Sequence, residues 1–349
     1  MKTSFVSNMS FQTSMRLTIA KVQNEMMKAR EEAVTGRHAD VGVALGAKTA
    51  RTLNLHRDLQ RMEALKSTNA LTTQRLAASQ AALGQMSEAG NSAMGVLIAL
   101  SGMSSGDQLS LARDNIGDAM AIFTSAANTS FSGEYLFAGI NSDVMPLKDY
   151  LAEPPISAAR QSFQDAFDGF MLAEGYTSTE QITPEKMQEF ISDFSLAFEA
   201  GWETDWSNAS NENMQSRIST SETVQSSTNA NAAGMRKMAL GLVLGYELLT
   251  RGLTEGTRKA ATDAAIGYMG EAISGIDGER SRLGISEARV KQATTSLSAQ
   301  ISILTKGIMS MEQVDPEEAV VRGNDLKTQL SVAYKLTVEI QNLSLLNYL

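Results

Sequence analysis

One short segment of the chain has the sequence of a serine-hydrolase nucleophile turn. Gly102-Met-Ser104-Ser-Gly106 matches the pattern G-x-S-x-G, in which a serine lies on a sharp turn between a strand and a helix. In that kind of active site the histidine comes later in the chain than the serine. Here both histidines, His38 and His56, precede Ser104, and a helical apolar pattern leads into the segment. We therefore expect a turn between two helices and no catalytic residues.

A second segment contains the residue types of a phosphate-binding loop. Gly42-Val-Ala-Leu-Gly46-Ala-Lys48-Thr49 has glycines followed by a lysine and a threonine. The phosphate loop needs a glycine directly before the lysine, whereas Ala47 intervenes here, and no apolar strand precedes the segment. We interpret it as a glycine-rich linker and expect no cofactor.

The remaining candidates for chemistry are histidines and neighbouring carboxylates. His38 and His56 lie eighteen residues apart in a chain without cysteine, which matches no common zinc pattern. Adjacent residues on a helix point to different sides, so Glu31-Glu32 and Glu317-Glu318 are poorly placed to act as an acid–base pair. We expect surface histidines, no metal site and no enzyme. An enzyme carried by the phenylalanine-rich middle of the chain stays open as an alternative.

Composition and charge argue against further classes of protein. The 349 residues include 39 acidic and 30 basic ones, and this net charge of −9 argues against a nucleic-acid surface. No run of about eighteen apolar residues is present, so we expect no membrane insertion. Hydrophobic residues make up 43% of the chain but aromatic residues only 6%, which favours helices packed on helices.

The clearest pattern lies at the two ends of the chain, where apolar residues recur at steps of three and four. Such a stripe is typical of a helix that packs along another helix. The N-terminal stripe is Met15, Ile19, Val22, Met26, Ala29 and Ala33, and the C-terminal stripe is Leu330, Ala333, Leu336, Ile340, Leu343 and Leu346. Since a short helix is marginal alone in water, each stripe needs a partner, either the other end or another subunit. We predict an assembly interface at residues 15–26 of the first stripe and at the whole second stripe.

Proline positions limit where long helices can form between the two stripes. Four of the five prolines lie between Pro146 and Pro184. A proline in a helix interior costs about 3 kcal/mol, so long helices are expected outside this middle segment. Apolar periodicity predicts them at about residues 51–100, 109–126 and 257–311. Asp315-Pro316 has the residues of an N-cap and a first helical turn, which predicts the start of the last helix.

The middle of the chain differs from the rest. Six of the eleven phenylalanines lie between Phe163 and Phe198, at helical spacing along two segments, which indicates a small separate core. Thr183-Pro184 predicts the start of the second of these helices. Residues 207–231 are rich in serine, threonine and asparagine and predict loops with short strands.

The fold class predicted is mainly α, with long N- and C-terminal helices pairing in a coiled-coil-like bundle and a small mixed α+β middle domain. We predict a terminal helix and loop at 1–50, a paired helical core domain at 51–145 and 251–314, an inserted variable domain at 146–250 and a C-terminal assembly helix at 315–349. The terminal helices, weak alone, are expected to be disordered in the free monomer and to fold on assembly.

Several segments resemble the flagellin superfamily, in which helical terminal regions pair around a variable inserted domain. The segment from Met15 through Ala33-Val-Thr-Gly36 is similar to that family's first helix and its exit. Gly133-Glu-Tyr-Leu-Phe-Ala-Gly139 resembles the G-x-Y-x-F-A-G motif of the hook-associated proteins within the superfamily, and Leu343-Ser-Leu-Leu-Asn-Tyr-Leu349 resembles their L-S-L-F-x-Y ending. The resemblance covers about residues 1–140 and 255–349.

The resemblance implies a structural axial protein of the bacterial flagellum, at the junction of hook and filament. The implied partners are the first hook-associated junction protein, flagellin, further copies of the chain in a ring and, before secretion, a flagellar export chaperone. The implied location is extracellular, in the flagellum, after type III export without a cleaved signal peptide. Flagellin itself and the other hook-associated junction protein remain as alternatives. A coiled-coil scaffold protein would need a membrane segment or a longer uninterrupted heptad pattern.

Overall fold

A computed structural model describes residues 8–100 and 106–346, with side chains from residue 10 to residue 339 within those ranges. In this part of the chain the backbone forms nine α-helices: α1 (Asn8–Thr35), α2 (Val41–Leu45), α3 (Thr49–Ala99), α4 (Gly106–Ala127), α5 (Ala158–Ala173), α6 (Pro184–Gly201), α7 (Ala233–Leu248), α8 (Glu255–Glu312) and α9 (Pro316–Leu346). Short 3-10 turns occupy Gly46–Lys48 and Thr179–Gln181, and a π-helical turn occupies Trp202–Trp206.

Four short strands form two antiparallel hairpins. Strands β1 (Ser130–Phe131) and β2 (Glu134–Tyr135) make the first, and β3 (Gln215–Arg217) and β4 (Thr223–Gln225) make the second. The predicted mainly α fold with a small mixed middle region is therefore confirmed.

Two predicted helix starts are confirmed in atomic detail. The hydroxyl of Thr183 accepts a hydrogen bond from the backbone nitrogen of Lys186 at 3.3 Å, directly before α6. The carboxylate of Asp315 accepts one from the backbone nitrogen of Glu317 at 2.9 Å, directly before α9. Each side chain satisfies an amide that the first turn of a helix leaves without a partner, so a local sequence signal was sufficient to place both starts.

The chain divides into two units. One holds the residues up to 64 together with those from 297 onward, and the other holds residues 65–296. The first unit contains α1, α2, the start of α3, the end of α8 and α9. Contacts within a folded chain do not show which segments order alone, so the predicted domain division and the predicted disorder of the termini stay predictions.

The larger unit, residues 65–296, has one continuous core centred on α7. Twelve of the sixteen residues of this helix are buried. It packs against α4 and also against α6, so the phenylalanines of α5 and α6 belong to the same core as the apolar residues of α3, α4 and α8. The prediction of a small separate phenylalanine core is therefore wrong, because α7 is apolar on nearly all sides and joins the two groups.

Candidate assembly surface on the terminal helices

The smaller unit places the two ends of the chain side by side, with α1 and α9 antiparallel. Ala29 faces Gly323, where an added Cβ would lie only 3.8 Å from the Ala29 Cβ. Farther from this point, Gln23 Nε2 donates a hydrogen bond to the Tyr334 hydroxyl at 2.9 Å. The two terminal stripes therefore find their first partner in each other, within one chain.

The N-terminal stripe is the face of α1 that this pairing covers. Met15, Ile19, Val22 and Met26 are half-buried and Ala29 is buried. The covered positions of α9 follow one another at alternating steps of four and three: Ala319, Gly323, Leu326, Leu330, Ala333 and Thr337.

In the C-terminal stripe, one residue lies off the face that α1 covers, and the predicted assembly interface at the two stripes stays a prediction. Leu330 and Ala333 are half-buried as part of the pair, but Leu336 is 42% exposed and Thr337 takes the covered position instead. The reason is that steps of three and four must alternate to stay on one face of the helix. The step from Leu330 to Ala333 is three residues, so the next covered position is four residues on, at Thr337. Ile340, Leu343 and Leu346 lie in α9, but their side chains fall outside the described residues.

The pairing of α1 with α9 is shallow. Among the described side chains of these two helices, only Ala29, Glu32 and Ala319 are buried. Most of the surface of each helix therefore stays in contact with water. Because hydrophobic stabilisation grows with the apolar area removed from water, this pair gains little from its own contacts.

Further apolar residues on the same helices point away from the pair. Eight of them are between 42% and 86% exposed, and we call them the outer apolar residues: Leu17, Met27, Val34, Val320, Val321, Val332, Leu336 and Val338. Seven of these residues lie off the seven-residue repeat, so the periodicity alone predicts no role for them. The signal that could have found them is an apolar residue on the far side of a helix whose stripe already has a partner.

Two buried glutamates form ion pairs near the end of α1 and the start of α9. Glu32 of α1 contacts Arg322 Nη2 of α9 at 3.2 Å and His38 Nδ1 at 3.6 Å. Glu312, the last residue of α8, contacts His56 Nε2 at 2.7 Å. The histidines expected on a free surface thus each contact a buried carboxylate. Within the described ranges, no group of three or more histidine and carboxylate side chains is close enough to hold a metal ion.

Backbone hydrogen bonds also join the segment after α1 to the link between α8 and α9. Val314, in the link between α8 and α9, donates a hydrogen bond to the carbonyl of Gly36 at 3.0 Å, and His38 donates one to the carbonyl of Glu312 at 3.0 Å. Gly36 has a φ of +65°, which favours glycine, and this lets the chain turn directly after α1. The end of α1 and the start of α9 are thereby tied together.

The glycine-rich segment that resembles a phosphate loop is mostly helical. Gly42–Thr49 folds as α2, a 3-10 turn and the start of α3, and the Thr49 hydroxyl donates to the Gly46 carbonyl at 2.7 Å. Ser104 lies outside the described residues. None of the helices in the described ranges combines the length and the apolar character that crossing a membrane requires.

Comparison with known proteins connects this architecture to a family. The helical N-terminal region of bacterial flagellin matches residues 6–142, and the helical C-terminal region of bacterial flagellin matches residues 266–349. Together the two matches span well over half of the chain and include α1, most of α8 and α9. The chain belongs to the bacterial flagellin family. It is a structural component of the flagellum and assembles with other flagellar components.

Two solved structures are similar to the chain in fold. A flagellar hook-associated protein from Vibrio parahaemolyticus has a TM-score of 0.54 and 12% identity, over 76% of this chain and 97% of that one. FlgL of Bacillus cereus has a TM-score of 0.50 and 13% identity, over 73% of this chain and 99% of that one. At these identities the likeness concerns the fold. No curated protein matches the chain in sequence.

Proposed function

We propose that the chain is a structural axial protein of the hook–filament junction, and that its terminal helices order fully only when it assembles. The observation that carries this proposal is the shallow antiparallel pair of α1 and α9, which leaves the outer apolar residues in water. Exposed apolar residues along a helix are typical of a surface that another helix covers in an assembly.

The energetics of the terminal pair favour completion by a neighbour. Fully burying one valine or leucine side chain contributes about 1.5–3 kcal/mol. Covering several of the outer apolar residues therefore offsets a large part of the entropy lost when a terminal helix becomes ordered. In the free chain that contribution is missing, because the pair covers only one stripe of each helix.

The proposed partners follow from the position at a junction. A protein between hook and filament contacts the first hook-associated junction protein on one side, flagellin on the other, and copies of itself around the ring. Before secretion, an export chaperone covers the same terminal helices. Likeness in fold to a flagellar hook-associated protein and to FlgL supports the junction over the filament itself.

Fractionation of sheared flagella tests the junction assignment. We expect the chain to be a trace component by mass and, with gold-labelled antibody, to occur once per flagellum at the hook-proximal end of the filament. Labelling along the filament, with the chain as the dominant protein by mass, would assign it instead as the filament subunit.

A further inference from the structure

A surface groove runs between α5 and α6, the two phenylalanine-rich helices of the larger unit. Its volume is about 370 Å³. The floor is aromatic: the ring centroids of Phe170 and Phe190 lie 5.1 Å apart, and those of Phe190 and Phe194 lie 5.9 Å apart. Phe190 and Phe194 are nearly buried, whereas Phe170 is half-buried. Of these three rings, Phe170 therefore contributes most of the aromatic surface that is open to solvent.

Small residues on both helices keep this floor accessible. Ala166, Gly169 and Ala173 line the groove from α5, and Ala197 lines it from α6. A Cβ added at Gly169 would meet nothing within 4 Å. The groove therefore has room for a side chain beside Gly169.

The groove lies on the most acidic part of the chain. Residues 158–201 contain eight acidic and two basic residues, a net charge of −6 out of −9 for the whole protein. Glu174, Glu189 and Asp193 line the groove. Lys186 bonds to Glu174 and to Glu189, at 2.9 Å each, so one cation is shared by two carboxylates. Among the described residues, none pairs with the carboxylate of Asp193.

We propose that this groove binds a basic amphipathic helix of a partner protein. Apolar side chains on one face of such a helix would lie on the phenylalanine floor, as in other complexes in which a helix occupies a groove. Its lysine or arginine side chains would pair with Asp193 and Glu189, and a cation near the exposed face of Phe170 would gain a further attraction. Charge complementarity selects this occupant over a second copy of the chain, whose net charge of −9 opposes docking on an acidic face.

The groove is separate from the surface that carries the proposed junction function. It lies outside residues 6–142 and 266–349, which match the flagellin family. It also lies outside the terminal helices. Binding of a partner at the groove is therefore independent of the assembly role of the terminal helices.

Fluorescence anisotropy with a designed peptide tests the proposal on the full chain. The probe is a fluorescein-labelled peptide of about fourteen residues, four helical turns, with leucine along one face and lysine on its flanks. The control peptide has glutamate in place of every lysine. We expect saturable binding of the lysine peptide and at least about tenfold weaker binding of the glutamate peptide. Equal binding of both peptides, or no saturable binding of either, would overturn the proposal.

Two variants and one matched control locate the binding. Gly169→Leu fills the groove at a helical position where a side chain has room, and Asp193→Lys reverses the unpaired charge. Each should weaken the lysine peptide by about tenfold or more. Asp168→Lys changes charge equally at an exposed position of α5 outside the groove, and should weaken it by less than about threefold.

Two results would contradict the groove as the site. One is an equal loss of affinity in Asp168→Lys and Asp193→Lys, which would mean nonspecific attraction to an acidic surface. The other is self-association of the unmodified chain, measured by analytical ultracentrifugation, that Gly169→Leu abolishes, because the occupant would then be a second copy of the chain.

Discussion

At the scale of single residues, the larger unit depends on one buried carboxylate, Glu247 of α7. It is 7% exposed and lies 3.2 Å from each of three donors: the Tyr150 hydroxyl, Arg160 Nε and Arg251 Nη2. Arg251 also lies over the ring of Phe167, with its guanidinium carbon 4.4 Å from the ring centroid. This carboxylate thus joins α5, α7 and the residues before α5 through charge as well as packing.

Removing that carboxylate should strongly destabilise the protein. Glu247→Ala leaves the mostly buried guanidinium of Arg251 without its counter-ion and removes one of the two carboxylates that pair with Arg160, the other being Glu153. We expect a loss of about 3–5 kcal/mol in the free energy of unfolding. The matched control is Lys259→Ala, which breaks an exposed ion pair with Asp263. It should cost less than about 1 kcal/mol. Urea denaturation measures both, and similar losses in the two variants would contradict a structural role for Glu247.

The same cluster predicts a pH dependence at the alkaline end. Burial raises the pKa of the Tyr150 phenol, and the neighbouring Glu247 carboxylate raises it further. In the unfolded chain this phenol loses its proton near pH 10, whereas the folded chain keeps it. Above about pH 10 the folded state therefore binds more protons, and rising pH lowers the free energy of unfolding by about 1.4 kcal/mol per pH unit from this group.

Tyr150→Phe isolates this contribution, because it removes the titrating group and keeps the ring. We expect the variant to lose less stability than the unmodified protein between about pH 10 and about pH 11 in urea denaturation. Below the pH at which an unfolded tyrosine titrates, the two stability curves should run parallel. If the stability curves of the variant and the unmodified protein stay parallel through the alkaline range, Tyr150 has the same pKa in the folded and unfolded states, which would contradict this prediction.

Whether a hydrogen bond or ion pair could be predicted from the sequence depends on how far apart its two residues lie in the chain. The caps at Thr183 and Asp315 involve neighbours two or three residues away, so the local sequence contains the whole interaction. His56 and Glu312 lie 256 positions apart, and Tyr150 and Glu247 lie 97 apart. Only the folded chain brings such pairs together, so neither buried carboxylate was predicted.

At the scale of elements, α7 and α8 approach closely enough that glycine is required. A Cβ on Gly234 would lie 2.7 Å from the backbone nitrogen of Ile276 and 2.8 Å from the backbone carbon of Gly275. Backbone atoms of a helix cannot move aside as a flexible side chain can. Apolar periodicity predicts α8, but a glycine in the sequence does not show which neighbour it approaches.

Gly234→Ala should therefore destabilise the larger unit by about 1–3 kcal/mol, as other overpacked core variants do. The control is Gly278→Ala in α8, where an added Cβ meets nothing within 4 Å. That change should raise stability by up to about 1 kcal/mol, since alanine favours a helix more than glycine does. Opposite signs for the two variants in thermal denaturation support the close approach, and a stabilised Gly234→Ala would contradict it.

At the scale of the whole molecule, the two ends of the sequence meet in a pair that is incomplete alone. Heptad periodicity predicted both helices and the face of α1 that is covered. It could not predict that the covered face of α9 passes through Thr337, because a polar residue interrupts the apolar pattern there. It also assigned no role to the outer apolar residues other than Leu336, since they lie off the repeat.

An outer apolar residue should matter for assembly but not for the fold of the free chain. Leu17 is 68% exposed, so Leu17→Glu should leave the circular dichroism spectrum and the thermal transition of the monomer unchanged. The variant should fail to enter flagella and should impair motility. The control is Leu172→Glu on α5, also an exposed leucine, at 83%. Normal motility with Leu17→Glu would show that this face of α1 is not an assembly surface.

Hydrogen exchange on the free monomer tests most directly the claim that the terminal helices order on assembly. We expect rapid exchange in α1 and α9 of the monomer, slow exchange in the buried helix α7, and strong protection of α1 and α9 once the protein is incorporated into flagella. Protection of α1 and α9 in the free monomer equal to that of α7 would contradict ordering on assembly.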